Sequence, residues 1–264
     1  MKKYAEDWLL KENIPLNQNY YLLKLGWKNE YIPFDFNEIL PGQFVQLLVD
    51  NSPKTFLRRP ISVHFVDSEK KEIWLLIQKV GEGTQKLAEL KPGDSLNMLF
   101  PLGNSFSLPE KNAGKNLLLI GGGVGIAPLL LLGSFLKDSG NKFSFLLGAR
   151  TRNDLLQLDE FEKLGPVYTT TEDGSFGEQG LVTNHSILSS KNIHQIYTCG
   201  TKPMMMAVAR LAKQYGISCE VSLENTMACG IGACLCCVEK TTTGNVCVCT
   251  EGPVFNINQL TWQI

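Results

Sequence analysis

Short apolar runs cut by Gly and Pro dominate the first hundred residues. Residues 20–27 read YYLLKLGW, 44–50 FVQLLVD, 61–66 ISVHFV and 72–80 EIWLLIQKV, the length and β-branched, aromatic character of strands. Val45, Leu47 and Val49 alternate, so one face of that strand packs on a core. Lys91-Pro92-Gly93-Asp94 turns the chain into a last strand at 95–99, and a short helix at 84–90 interrupts the series. The pattern predicts a small antiparallel β barrel.

After Pro101-Leu102-Gly103 the period changes. Strands are expected at 117–120, 143–147, 167–171, 195–198 and 217–220, and helices at 127–137, 181–188 and 203–215. Alternating apolar strands and helices predict an α/β unit, a doubly wound parallel sheet covered on both faces. Its ligand crevice belongs at the carboxyl ends of the strands, where loops 121–125, 148–152 and 199–201 fall. Gly121-Gly122-Gly123-Val124-Gly125 follows a strand directly and precedes a helix, so backbone N–H groups and a positive dipole end can meet a phosphate. It is not the G-x-G-x-x-G fingerprint, because Ile126 stands where the last glycine would fall. The Met204-Met205-Met206 run reads as core packing.

Totals narrow the picture only a little. A chain of 264 residues suits two domains and a small appendage, and we expect boundaries at 1–104, 105–224 and 225–264. A net charge of -1 gives no electrostatic case for nucleic acid or an acidic membrane surface. The longest apolar run, 126–132, is too short to span a membrane. Glu6 and Asp7 interrupt the apolar start that a secretory signal needs, so a reducing, cytoplasmic setting is expected and disulfides are not.

The appendage carries the chemistry, with six of the eight cysteines lying between 228 and 252. Cys229, Cys234 and Cys237 stand as C-x4-C-x2-C, the plant-type spacing for thiolates of a [2Fe-2S] cluster, with Gly230 and Gly232 allowing the sharp turns. Cys247 and Cys249 both offer a fourth sulfur; Cys249 is preferred because it leads into a Gly-Pro turn. Cys236, adjacent to a ligand, is read as a bystander, and Cys199 and Cys219 as small buried hydrophobes. A structural zinc site is the competing reading, but it leaves the x4 spacing without a reason. Upstream, Arg58-Arg59-Pro60-Ile61-Ser62 puts a guanidinium and a hydroxyl on a stiffened strand entry, suited to a pyrophosphate and a ring nitrogen. Gly81 and Gly83 precede the short helix, another place for phosphate oxygens.

Taken together, RPIS on a barrel, GGGVGIAP after a strand, CGTKPM, and MACGIGAC with VCTEGPVF resemble the electron-transfer subunits of dihydroorotate dehydrogenase B, a family of ferredoxin-reductase-type flavoproteins. The resemblance covers nearly the whole chain. It implies that Arg59, Pro60, Ile61, Ser62, Leu76, Ile77, Gln78, Gly83 and Thr84 hold FAD. It implies likewise that Gly121, Gly122, Gly123, Val124, Gly125 and Pro128, with Cys199, Gly200 and Pro203, form the NAD site. Cys229, Cys234, Cys237 and Cys249 are then the [2Fe-2S] ligands, with Cys236 and Cys247 as departures from the family pattern. It further implies a partner, an FMN-binding dihydroorotate dehydrogenase catalytic subunit with two copies of each chain, that oxidises dihydroorotate and sends electrons through the cluster to FAD and on to NAD+ in pyrimidine biosynthesis.

No acid or base is required by that chemistry. His64, His185 and His194 are read as structural or solvent-facing, and Glu224 as a strand-end carboxylate that could approach the nicotinamide. Glu172 and Asp173 would repel a 2'-phosphate and favour NAD over NADP, while Arg150 and Arg152 argue the other way. The nearest alternative is a reductase subunit of the same build serving a ferredoxin, a hydrogenase or a sulfite-reducing complex. A zinc-containing nucleotide-binding module is the remote one.

Overall fold

The computed structural model describes residues 2–189 and 192–264. Its first sheet has seven antiparallel strands: β1 Tyr4–Pro15, β2 Tyr20–Trp27, β3 Phe44–Leu47, β4 Arg59–Ser62, β5 Phe65–Asp67, β6 Glu72–Gln78 and β7 Ser95–Leu102, ordered β4-β3-β7-β1-β2-β6-β5. The two edge strands follow one another in the chain, with Val63 and His64 alone between them, and the His64 N–H donates to the Trp74 carbonyl at 2.9 Å. That junction rolls the sheet into a barrel. Trp8, Val45, Leu47, Ile73, Leu75, Ile77, Leu96, Met98 and Phe100 fill it, each contributing about 1.5–3 kcal/mol on leaving water.

Two expectations change here. β1 was not among the expected strands, yet it pairs with both β2 and β7. Of its twelve residues Trp8 and Leu10 are the fully buried ones, and the charges at Glu6, Asp7, Lys11 and Glu12 hide the alternation. ISVHFV is two strands broken at His64, which is buried and whose Nδ1 lies 2.9 Å from the Ala127 carbonyl.

The second sheet contains β8 Asn116–Gly122, β9 Lys142–Ala149, β10 Val167–Thr171, β11 Glu178–Gln179, β12 Gln195–Cys199, β13 Ser218–Ser222 and, from the cysteine-rich segment, β16 Val254–Asn256. The order is β11-β10-β9-β8-β12-β13-β16, parallel except that β16 runs antiparallel to β13. The hairpin β14 Val238–Thr241 and β15 Gly244–Cys247 stands apart. The helices are α1 Glu82–Ala88, α2 Ala127–Lys137, α3 Leu158–Glu162, α4 Lys202–Tyr215 and α5 Val248–Glu251. Period-two alternation along β8 explains both faces: Leu117 and Leu119 pack with α2, while Leu118 and Ile120 pack with Met205 and Val208 of α4. The sheet is therefore doubly wound, and its order reverses between β8 and β12.

The helix expected at 181–188 does not form. Two 3-10 turns, Val182–Asn184 and Ser186–Ser189, take its place. Side chains capture the amides that a helix would use: Asn184 Oδ1 accepts from Leu181 N–H, Glu178 from Ser186 N–H, and His185 Nδ1 from Ile187 N–H. The barrel, the sheet and the cysteine-rich segment meet at residues 101–104. Asn104 donates to the Glu251 and Val254 carbonyls and accepts from Val254 N–H. Gly103, at φ 75°, leaves no room for a Cβ, which would fall 2.5 Å from Pro253 Cδ. Phe44 and Leu102 of the barrel share one core with Met227, Cys237, Val248, Cys249 and Phe255.

Candidate functional site

A cleft of about 1140 Å³ opens where the strand order reverses. Gly122 to Gly125, Gly148 to Thr151, Gly200 and Thr201 line one side, and Asn17, Tyr20 and Gln78 of the barrel line the other. The glycines are dictated by contact. A Cβ on Gly125 would lie 2.4 Å from Gly200 Cα and 2.5 Å from the Cys199 carbonyl oxygen, so two strand-end loops touch backbone to backbone there. Gly123 sits at φ 57° with open space toward the Tyr20 hydroxyl, a left-handed position that favours glycine. Of the expected NAD-site residues, Gly122, Gly123, Val124, Gly125, Gly200 and Pro203 line the cleft. Gly121 and Cys199 face each other in the ladder just beneath it, Cys199 fully buried and its thiol pushed up by burial and by the Glu224 carboxylate 3.8 Å away. Pro128 lies inside α2. Met205 is core as expected, but Met204 lines the cleft and packs against Gly122 and Gly200.

Asn17, Tyr20, Thr170, Gly180 and Thr183 were not singled out in the sequence, which carries no local signal for them; the fold brings them to the cleft. Glu224 sits deep in the cleft wall, although much of its surface opens to the cleft's water, and its carboxyl is raised by loss of solvent. Glu172 and Arg150 both line the cleft. Asp173 turns to Ser175, whose N–H and hydroxyl hold its carboxyl below the ordinary range, and Arg152 lies 5.0 Å over the Phe176 ring. Of the four charges weighed in the sequence, Glu172 and Arg150 are thus the two that line the cleft.

On the barrel the two arginines have separate places. Arg58 is consumed by the fold, donating to the Gln46 and Asn97 carbonyls and to Asn97 Oδ1 at 2.6 Å. Arg59 donates to the neighbouring carbonyls of Leu57 and Arg58, and its stem lies against Gly83, where a Cβ would fall 3.1 Å from Arg59 Cδ. Pro60 and Ser62 share the outer face of β4, and Ile61 packs on the barrel core. Leu76 and Ile77 are buried, so their backbone alone can meet a ligand. β5 pairs with β6 as far as Trp74, whereas β2 pairs through Gln78, which leaves an edge of β6 open at 75–78. The Thr84 hydroxyl is occupied at the start of α1, accepting from Val80 and Gly81 N–H.

The cysteine loop is built around sulfur. Gly230, Gly232 and Leu235 all have positive φ, and the last, at 57°, is a left-handed residue with a side chain, a conformation costing about 1 kcal/mol. Cys229 Sγ accepts from Ile231 N–H at 3.5 Å, Cys249 Sγ from Gly232 N–H at 3.1 Å, and Cys237 Sγ from Cys249 N–H at 3.4 Å. Partial burial opposes ionisation of Cys229, but the Ile231 N–H, the Cys234 thiol and the amides of Cys234 and Ala233 pull it down to about 6. Burial and the Cys237 thiol push Cys249 up to about 12. The backbone thus ties Cys249 both to the loop, through Gly232 N–H, and to Cys237, through its own N–H. Among the described residues no three His, Cys, Asp or Glu converge on one point as a single-ion site requires. Four cysteines gathered on one loop and one short helix, with amides aimed at the sulfurs of Cys229, Cys237 and Cys249, fit a two-iron cluster. Cys249 is buried on α5 and tied to the loop, whereas Cys236 is exposed and Cys247 is half-buried. Ile231 and Leu235 are 46% and 66% exposed beside these sulfurs.

Residues 224–261 match the iron-sulfur cluster binding domain of dihydroorotate dehydrogenase B, and residues 119–210 match the oxidoreductase NAD-binding domain. A dihydroorotate dehydrogenase B (NAD(+)) electron transfer subunit of Caldanaerobacter subterraneus subsp. tengcongensis is 43% identical over 81% of this chain and 84% of its own. The like-named subunit of Fusobacterium nucleatum is 33% identical over 95% of this chain and 96% of its own. Among solved structures, the NADH-dependent reduced ferredoxin-NADP oxidoreductase, described for flavin-based electron bifurcation, superposes with a TM-score of 0.84 at 28% identity, over 96% of this chain and 89% of that one.

Proposed function

This chain belongs to the family of electron-transfer subunits of NAD-dependent dihydroorotate dehydrogenase B, and on that premise we propose how its residues divide the task. It is an oxidoreductase subunit whose cofactors are FAD, a [2Fe-2S] cluster and NAD. When bound, the cluster carries single electrons and the flavin converts them to the hydride that NAD+ accepts.

Cys229, Cys234, Cys237 and Cys249 hold the cluster, and the N–H groups of Ile231, Gly232 and Cys249 steady their sulfurs. The observation that carries the reading is the place of Cys249: buried, its sulfur accepting from Gly232 N–H in the loop of Cys229 and its own N–H donating to Cys237 Sγ. Arg59 with the amides at Gly83 and Thr84 holds the flavin pyrophosphate, and Pro60, Ile61, Ser62 and the open edge at Leu76, Ile77 and Gln78 hold the ring. Gly121 through Gly125, resting on Cys199 and Gly200, admit the nicotinamide nucleotide, with Glu172 selecting NAD. Gln78 and Tyr20 reach the same cleft from the barrel, so flavin and nicotinamide share it. Units 1–104, 105–224 and 225–264 then correspond to the three cofactors.

The partner is an FMN-binding catalytic subunit, two copies of each chain assembling, and the exposed Ile231 and Leu235 beside the cluster cysteines are its contact. No helix of the described residues is long and apolar enough to cross a membrane, and the reduced thiols suit the cytoplasm. The test is the visible spectrum and metal content of the anaerobic protein before and after NADH. Iron and sulfide at about two per chain, with a flavin band bleached by NADH, are expected; zinc, or flavin indifferent to NADH, overturns the assignment. Dihydroorotate-dependent NAD+ reduction on mixing with the catalytic subunit separates this reading from a ferredoxin reductase, the alternative favoured by the bifurcating structural relative.

A further inference from the structure

Gln46 has none of its surface exposed, and neither polar atom of its carboxamide has a hydrogen-bond partner among the described residues. An unmatched buried amide group costs about 1–3 kcal/mol, so its surroundings matter. Side chains alternate along β3: Val45 and Leu47 enter the barrel core, while Phe44 joins the core shared with the cysteine-rich segment, which puts Gln46 on that outer face too. Opposite residues of an antiparallel pair share a face, and Gln46 pairs with Pro60 as Phe44 pairs with Ser62. Gln46 therefore stands beside the strand assigned above to the flavin.

From the other side the cysteine loop closes on the same side chain. A Cβ on Gly230 would fall 2.8 Å from Gln46 Cγ and 3.0 Å from its Nε2, which explains a glycine directly after Cys229. One buried, uncommitted donor thus sits between the flavin strand and the first cluster cysteine.

We infer that Gln46 is a positioning residue for electron transfer, its Nε2–H donating to a sulfur at the Cys229 end of the cluster and thereby setting the cluster's reduction potential. This rests on the cluster assignment above. A donor to sulfur stabilises the reduced, more negative cluster and raises its potential, which favours passage of electrons onto the cluster from the partner.

Two measurements on the intact complex test this. Gln46→Met keeps the volume and removes the donor, and Gln46→Glu replaces the amide by a carboxyl. The cluster's midpoint potential, read by EPR-monitored redox titration, falls in Gln46→Met and further in Gln46→Glu at a pH where the acid is ionised, with iron content unchanged. An unaltered potential in fully loaded Gln46→Met overturns the inference. Should the variants fail to fold or load, wild-type protein labelled with 15N in the glutamine side-chain amide decides: pulsed EPR of the reduced cluster shows a changed nitrogen coupling, and a coupling indifferent to the label overturns the inference. A wild-type complex without any iron-sulfur signal overturns the cluster assignment itself, a distinct outcome.

Discussion

The cleft at 121–125 and the cysteine loop, the two cofactor sites proposed above, are built by opposite means. In the cleft the backbone forms much of the surface, and glycines let strand-end loops touch: a Cβ on Gly125 would lie 2.4 Å from Gly200 Cα. In the cysteine loop the side chains are the proposed ligands, and the backbone aims N–H groups at sulfurs from 3.1 to 3.5 Å. A cleft of the first kind tolerates few added atoms. A loop of the second kind tolerates no loss of the ligating sulfur, yet accepts change beside it.

The largest break is Cys249→Ser, expected to empty the cluster site while NADH still reduces the flavin, whereas Cys247→Ser keeps its iron; iron assay and EPR decide, and equal iron in both variants removes Cys249 from the ligand set. Next is Gly125→Val. Its side chain meets the backbone of Cys199 and Gly200, so NADH oxidation should fall about 100-fold, with a loss of about 3 kcal/mol or more in stability and the cluster retained.

His64, at the barrel junction, sharpens the contrast from outside both sites. Burial lowers it to about 4 against an ordinary 6.5, the hydrogen bond to Ala127 opposing only in part. The unfolded chain thus binds the proton more readily, and stability falls as pH drops from about 6.5 toward 4. Between pH 7 and pH 5 the loss attributable to His64 is about 2 kcal/mol, and His64→Asn, which keeps a donor for the Ala127 carbonyl, should remove that part of the denaturant-midpoint shift. The smallest effect concerns Glu172. Glu172→Gln removes one cleft carboxylate and should improve kcat/KM for NADP+ about fivefold, roughly 1 kcal/mol; no gain would leave selectivity to Arg150 and the cleft's shape.

The same contrast separates what could be read in advance. Barrel strands 20–27 and 72–78 and helix 127–137 were legible because their apolar runs are long, and strand 167–171, VYTTT, because its β-branched and aromatic residues favour a strand. β1 was not, because a central strand with a charged outer row has little pattern to show, and the helix expected at 181–188 failed because Asn184, His185 and Glu178 offered the amides other partners. The glycine loop at 121–125 and the C-x4-C-x2-C spacing at 229–237 are each local, made of residues a few positions apart. Tyr20 and Gln78 in the cleft, and Gln46 under Gly230, are not.

By itself the order of residues determined the class of chemistry: which segments turn tightly, which cysteines stand at cluster spacing, where strands give way to a nucleotide loop. These are properties of neighbours in the chain, set by backbone sterics and side-chain type. Tertiary structure decided among equivalents. It chose Cys249 over Cys247 as the sulfur facing the loop, spent Arg58 on Asn97 while leaving Arg59 toward Gly83, and put Gln46 between two sites. Each choice depends on which surface packs against which, and burial and contact exist only after distant segments have met.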